Sequence, residues 1–168
     1  QRDPRWGRSY ESYGEDPLLI SRLGEAYVLG MSEGPGAANV TAARGYSKIG
    51  AVAKHAAAYN FEGCVGHENY PNCSRYRSRY DAVVDATDMH ESYLVGWRHL
   101  APRLEGAMCS YNAIDGVPAC ASAALLEGTL RGAYGLDGVV VADDGAISKI
   151  DTMPPDGGHG FAPSVAGE

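Results

Sequence analysis

Long apolar runs, positive charge, phenylalanine and cysteine are all scarce in this chain of 168 residues. No uninterrupted apolar stretch approaches the ~18 residues of a membrane-spanning helix, so no membrane segment is expected. Fourteen Lys and Arg stand against 21 Asp and Glu, a net charge of −7. A surface of that sign repels phosphate, which argues against a nucleic-acid or anionic-lipid partner. The 22 glycines and 9 prolines follow no G-X-Y period, so the chain is not collagen-like. The four cysteines, Cys64, Cys73, Cys109 and Cys120, are too sparse for a disulfide scaffold. Cys64 and Cys73 bracket a polar loop and could pair. Cys109 lies in an apolar run, where a free thiol packed as a small hydrophobe is expected. The sequons Asn39-Val40-Thr41 and Asn72-Cys73-Ser74 are compatible with an extracellular location but are common by chance.

Several chemistries leave no trace. There is no G-x-S-x-G elbow, no H-E-x-x-H, and no glycine-rich phosphate loop between a strand and a helix. Cys64, His67 and Cys73 do not have the spacing of a zinc site, and a fourth ligand is missing, so no metal and no cofactor are expected.

What is present is an alternation of short apolar runs with helical stretches. Ile49 to His55, Gly106 to Asn112 and Gly138 to Asp143 read as buried strands. The last is β-branched and apolar on both faces, as in a parallel sheet covered on both sides. Asp16-Pro17 opens a helix reaching about Glu33. A second helix runs from Asp85 to Leu100, and a third, capped by Ser122, ends at Gly135. Asn60 to Tyr80 has no period and reads as an excursion loop. The alternation implies βαβ units and an α/β fold.

In such folds the working residues gather where strands end. Here those ends read Lys54-His55, Ser110-Tyr111-Asn112 and Asp143-Asp144-Gly145. Each has an ordinary reading too: Lys-His as a salt-bridging pair, a strand-end Asp as a helix cap. Together they could line one polar pocket. Burial would favour the neutral form of Asp143 unless Lys54 or Arg2 holds it ionised. An ionised carboxylate among cations and hydroxyl donors suits a nucleophile facing an oxocarbenium-like centre. Eleven Tyr against two Phe fit a site that stacks sugars and bonds their hydroxyls. A Schiff base on Lys54 is the rival chemistry.

The run R-D-P-R-W-G-R-S-Y-E-S-Y-G-E-D-P (Arg2 to Pro17) resembles the signature of glycoside hydrolase family 3. Four further segments follow in family order: A-V-A-K-H-A-A-A-Y, D-M-H-E-S-Y-L, M-C-S-Y-N-A-I-D-G-V-P-A-C-A and L-R-G-A-Y-G-L-D-G-V-V-V-A-D-D-G-A-I. The resemblance implies a partial (β/α)₈ TIM-type barrel, truncated at both ends. Residues 1–168 would form an incomplete N-terminal catalytic domain without the α/β sandwich domain that follows it in the family. It implies Asp143 as the catalytic nucleophile, with Arg2, Lys54, His55 and Tyr111 holding the hydroxyls of the sugar and Met108 beside them. The acid/base Glu would lie beyond this chain, and Glu11, Glu15 and Asp16 would anchor barrel loops. The implied activity is exo-β-glycoside hydrolysis with retention, on β-xylosides rather than β-glucosides, by the whole protein and not by this piece alone. The alternatives are a β-glucosidase of the same family and a non-catalytic sugar-binding relative without the acid/base. Two positions depart from the family: Asp144 stands where Trp or Cys is common and would oppose ionisation of Asp143, and Asp115 replaces the Asn before Gly-Val-Pro.

Overall fold

A computed structural model describes residues 6–33, 47–63 and 77–161. Its centre is a parallel sheet of three strands, β1 (Val52–Ala56), β3 (Gly106–Cys109) and β6 (Val139–Ala142), in the order β1-β3-β6. Pairing sets Val52, Gly106 and Val139 in one row and Lys54, Met108 and Val141 in another. The three strands therefore run side by side with their C-terminal ends together, as the alternation of elements requires.

Helix α1 (Pro17–Glu33) begins where Asp16 accepts the Leu19 N–H at 2.8 Å. Ala86–Asp88, Met89–Tyr93 and Val95–Leu100 run on as a second helical stretch, α2, started by the Asp85 carboxylate on the Asp88 N–H. In its middle the hydrogen bonds step five residues, Leu94 N–H to the Met89 carbonyl. Helix α3 (Ala124–Ala133) has the same wide step. It ends as foreseen: Gly135 takes φ +74°, and the Leu136 N–H folds back onto the Leu130 carbonyl. A short α4 (Ser148–Asp151) follows β6.

The helices cover one face of the sheet. Leu94, Trp97, Leu104, Leu125, Leu130 and Leu136 are buried there with Ala107, and Ala53 and Val140 pack against them. Each fully buried leucine contributes about 1.5–3 kcal/mol. The opposite face departs from the sequence reading. Val139 and Val141 are 59% and 37% exposed, and Val52 is 45% exposed. A face that closes on itself in a barrel lies open when only three strands stand side by side.

The sequence also gave no sign of a second, smaller sheet. β2 (Asp81–Ala82) pairs parallel with β4 (Ala113–Ile114), which turns back antiparallel into β5 (Val117–Pro118). Two-residue strands are too short for any periodicity to register. The turn between them is Asp115-Gly116, with φ +48° and +83°, a left-handed pair that Asp and Gly tolerate. Asp115 thus fits the turn where the family resemblance expected Asn.

The expectation of a free Cys109 is overturned. Cys109 at the end of β3 is bonded to Cys120 beyond β5, Cα to Cα 5.1 Å, so the hairpin folds back onto the strand from which it departs. Closing an 11-residue separation contributes about 3 kcal/mol by restricting the unfolded chain. The spacing alone could not show that the intervening residues form a hairpin. Cys64 and Cys73, both sequons and most of the excursion loop lie outside the described residues.

Two glycine substitutions separate tight packing from propensity. A Cβ on Gly138 would stand 2.2 Å from the Glu105 carbonyl oxygen, whereas one on Gly30, in exposed α1, meets nothing within 4 Å. Gly138→Ala is expected to cost about 2 kcal/mol or more, and Gly30→Ala to stabilise by about 0.5–1 kcal/mol. Denaturant midpoints of the two variants check this.

Candidate active site

The sheet brings its three strand ends to one place. At the end of β1 the pairing slips between Lys54 and Ala56, leaving His55 without a strand partner. Its imidazole Nε2 lies 3.3 Å from Asp143 Oδ2, just past β6, and 3.2 Å from Arg8 Nη1. Both side chains are shielded, His55 4% and Asp143 14% exposed. Burial first, then the positive charge of Arg8, lowers the His55 pKa to about 4, against a smaller opposing pull from Asp143. His55 is therefore neutral at pH 7. A guanidinium can only donate, so Arg8 donates to the Nε2 lone pair.

With its Nε2 lone pair turned to Arg8, His55 offers no proton there to Asp143. Its Oδ1 accepts the Asp144 N–H at 2.8 Å. Its Oδ2 is buried and has no hydrogen-bond donor among the described residues. One oxygen is pinned and the other is bare.

Arg8 is itself held by Glu11 through two parallel bonds of 2.8 Å, Nε to Oε1 and Nη2 to Oε2. Lys54 Nζ donates to Glu11 Oε2 at 2.7 Å. The hydrogen bond from Arg8, then that from Lys54, outweighs burial and lowers the Glu11 pKa to about 2. Glu11 is a permanent anion between two cations and cannot serve as a general acid near neutrality.

The far wall is aromatic. Tyr59 meets Trp6, His55 and Tyr111 edge to face, with centroids 6.1, 4.9 and 6.0 Å apart. Tyr59 donates to Glu62 at 3.0 Å, and Arg77 reaches both. The Arg77 guanidinium lies 4.2 Å from the centre of the Tyr111 ring. Tyr111 donates its hydroxyl to the Asp144 carbonyl at 2.6 Å. Burial, and then the negative charge of Asp143, raises its pKa above the ordinary phenol.

Of the residues singled out in the sequence, Lys54, His55, Tyr111 and Asp143 surround this point. Met108 sits between Lys54 and Val141 in the sheet register. Arg2 lies outside the described residues, as do the cysteines and histidine weighed for zinc. Asp144 is exposed and acts through its backbone. Asp16 anchors α1, as expected. Sequence reasoning passed over Arg8, Tyr59, Glu62 and Arg77. Arg8 carried a legible signal, standing three residues before Glu11 in the same run. Arg77 did not, because its loop has no period. A cavity of about 430 Å³ lies on the helix side, lined by Ile20, Ala53, Trp97 and Leu100 as well as Lys54 and His55, but not by Asp143. Trp6 and Tyr59 of the aromatic wall line it too, so it adjoins the site from the side of α1 and α2 without reaching Asp143.

The profile of the glycosyl hydrolase family 3 N-terminal domain matches residues 1–156. A probable exo-1,4-β-xylosidase of Aspergillus flavus is 36% identical over 172 aligned residues, covering 98% of this chain and 20% of that protein. β-D-xylosidase 1 of Arabidopsis thaliana is 33% identical over 84% of this chain and 17% of its own length. Among solved structures, an exo-β-xylosidase (XlnD) in complex with a xylobiose aziridine probe matches 95% of the chain at 30% identity, with a TM-score of 0.75. A β-glucosidase from Listeria innocua in complex with gluconolactone matches 96% at 31% identity, TM-score 0.70. The chain spans about a fifth of the length of these relatives, and its sheet and helices are a partial α/β barrel of their kind.

The neutral His55 sets a pH dependence. Its folded pKa, about 4, lies below the ordinary 6.5, so the unfolded chain binds the extra proton first as pH falls. Its contribution to stability is present in full above about pH 6.5 and is lost progressively toward pH 4. His55→Gln is expected to flatten that part of the stability–pH curve, read as urea midpoints across the window.

Proposed function

The chain belongs to glycosyl hydrolase family 3, and from that premise we propose that it carries the nucleophile half of an exo-β-glycosidase that works with retention. The observation behind the reading is the bare, buried Oδ2 of Asp143 among fixed partners. A nucleophile needs one oxygen free to form a bond and the rest of the group held still. Oδ2 attacks the anomeric carbon and the glycosidic C–O bond breaks. The leaving oxygen takes a proton from a carboxylic acid supplied outside this chain. Water, deprotonated by that same group, then displaces Asp143 from the ester and releases the sugar.

The surroundings suit a cationic transition state. His55 is neutral, Glu11 offsets one of the two positive charges of Arg8 and Lys54, and the Asp143 carboxylate supplies a second negative charge, so little net positive charge faces the developing oxocarbenium ion. Arg2, Lys54, His55 and Tyr111 are the groups for the sugar hydroxyls, with Arg8 added from the geometry, and Met108 offers an apolar wall. Bonds to hydroxyls that tighten as the ring flattens lower the barrier. The substrate is a terminal, non-reducing β-linked sugar. Xylose is favoured over glucose because the curated relatives named above are β-xylosidases; the glucosidase reading rests on the Listeria structure. Neither metal nor organic cofactor enters this chemistry. The second α/β domain and the acid/base Glu are proposed to come from the remainder of the protein, and the present 168 residues to be inactive alone.

Full-length protein should hydrolyse aryl β-xylosides faster than aryl β-glucosides, and Asp143→Asn should lower kcat on the order of 10⁴-fold. In Asp143→Ala, azide should enter the vacated space and yield the glycosyl azide of inverted configuration. An Asp143→Asn enzyme with wild-type turnover, or steady turnover by the isolated chain, would overturn the assignment.

A further inference from the structure

The run Gly157-Gly158-His159-Gly160 is left over from the chemistry just described. It folds back on α4, the helix that follows the nucleophile strand. The His159 N–H reaches the Lys149 carbonyl, that of Gly160 the Thr152 carbonyl and that of Phe161 the Ile150 carbonyl, each at 2.8 Å. The glycines are required by this path. Gly157 and Gly160 take φ +83° and +58°, and a Cβ on Gly158 would stand 2.2 Å from the Thr152 carbonyl oxygen. The segment is also tied sideways, because the Ser78 hydroxyl donates to the Gly157 carbonyl at 2.6 Å and Arg79 to that of Pro154.

The outcome of this framing is that the His159 imidazole points at the end of β3. Its Nε2 lies 2.7 Å from the Tyr111 carbonyl oxygen. A carbonyl can only accept, so Nε2 carries the proton and donates. Tyr111 is thus gripped at both ends by the chain that follows Asp143: its hydroxyl by the Asp144 carbonyl at 2.6 Å, its own carbonyl by His159. We propose that His159 is a positioning residue, which fixes the Tyr111 backbone and so holds the phenol ring against the nucleophile. It touches neither sugar nor reacting atoms. The proposal rests on the glycosidase reading for its catalytic consequence, but not for the geometry it predicts.

The consequence follows from the short path involved. Tyr111 has Arg77 on one face of its ring and Asp144 on its hydroxyl, so a backbone that drifts carries the ring away from both. A shift of about 1 Å in a reacting constellation can cost on the order of 100-fold. Gln has an amide N–H at nearly the reach of Nε2, Asn falls short, and Leu has no donor.

Two measurements on the full-length protein test this. In fluorine NMR of fluorotyrosine-labelled protein, with the Tyr111 signal assigned by its loss in Tyr111→Phe, His159→Leu and His159→Asn should shift or broaden that signal and His159→Gln should restore it. A Tyr111 signal unmoved in His159→Leu overturns the proposal whether or not the protein hydrolyses glycosides. In kinetics on the aryl β-xyloside, His159→Leu should lower kcat about tenfold or more with little change in KM, His159→Gln should recover most of it, and thermal midpoints should stay close to wild type. Combined with Tyr111→Phe, His159→Leu should add little further loss. Full additivity, or an equal loss in Gln and Leu, overturns it. Absence of glycosidase activity in wild-type protein would sink the functional reading and leave the fluorine result to decide the positioning role.

Discussion

Parallel pairing of three strands is the constraint on which the site depends. Parallel strands must all point the same way, so every chain segment leaves the sheet at the same edge. The register makes this quantitative: Lys54, Met108 and Val141 share a row. One to three residues past that row lie His55, Ser110-Tyr111 and Asp143, from segments separated by some fifty and thirty residues of chain. Local folding joins only Arg8 to Glu11 and His55 and Glu62 to Tyr59; the contacts between strand ends all join remote segments. The register is in turn held by close backbone approach at Gly106 and Gly138, where a side chain would meet the neighbouring strand.

Charge in this region is arranged in compensated steps. Glu11 lies between Arg8 and Lys54, and Arg8 also donates to a histidine that burial keeps neutral. Glu62, Tyr59 and Arg77 form a second polar set behind the aromatic wall. The carboxylate of Asp143 is therefore surrounded by groups already engaged with each other. A buried carboxylate is costly unless something bonds it, and here the Asp144 N–H does so at one oxygen while the other has no donor among the described residues. The same carboxylate is thus anchored through one oxygen and unengaged at the other, the feature on which the proposed nucleophile role rests.

The ends of the strands are reinforced from outside the sheet as well. Cys109–Cys120 closes the hairpin that follows Tyr111, and Ser110 and Asn112 on either side bond the carbonyls of Ala56 and Ala57. Tyr111 thus sits between two polar residues that staple β3 to the end of β1. The π-type widening of α2 and α3 lies on the other side, in the helix layer, where the core is built mainly from leucines and alanines around Trp97.

Local chemistry made much of this legible from the residues alone. Asp16-Pro17, Asp85, Ser122 and Gly135 marked helix ends because caps act within a few residues, and the apolar run at Val139 to Ala142 marked a strand because β-branched residues favour extended backbone. Strand-end logic also pointed to Lys54, His55, Tyr111 and Asp143, and motif resemblance gave them roles. What sequence could not decide was everything that depends on distance between remote segments: the disulfide across the hairpin, the two-residue strands of the small sheet, Arg8 on His55, Arg77 on Tyr111 and His159 on the Tyr111 carbonyl. The open valine face was hidden too, since an apolar strand reads the same whether it stands in a closed barrel or at the edge of a three-stranded sheet. Capping and propensity are written over neighbouring residues; proximity, burial and protonation exist only once the chain has closed on itself.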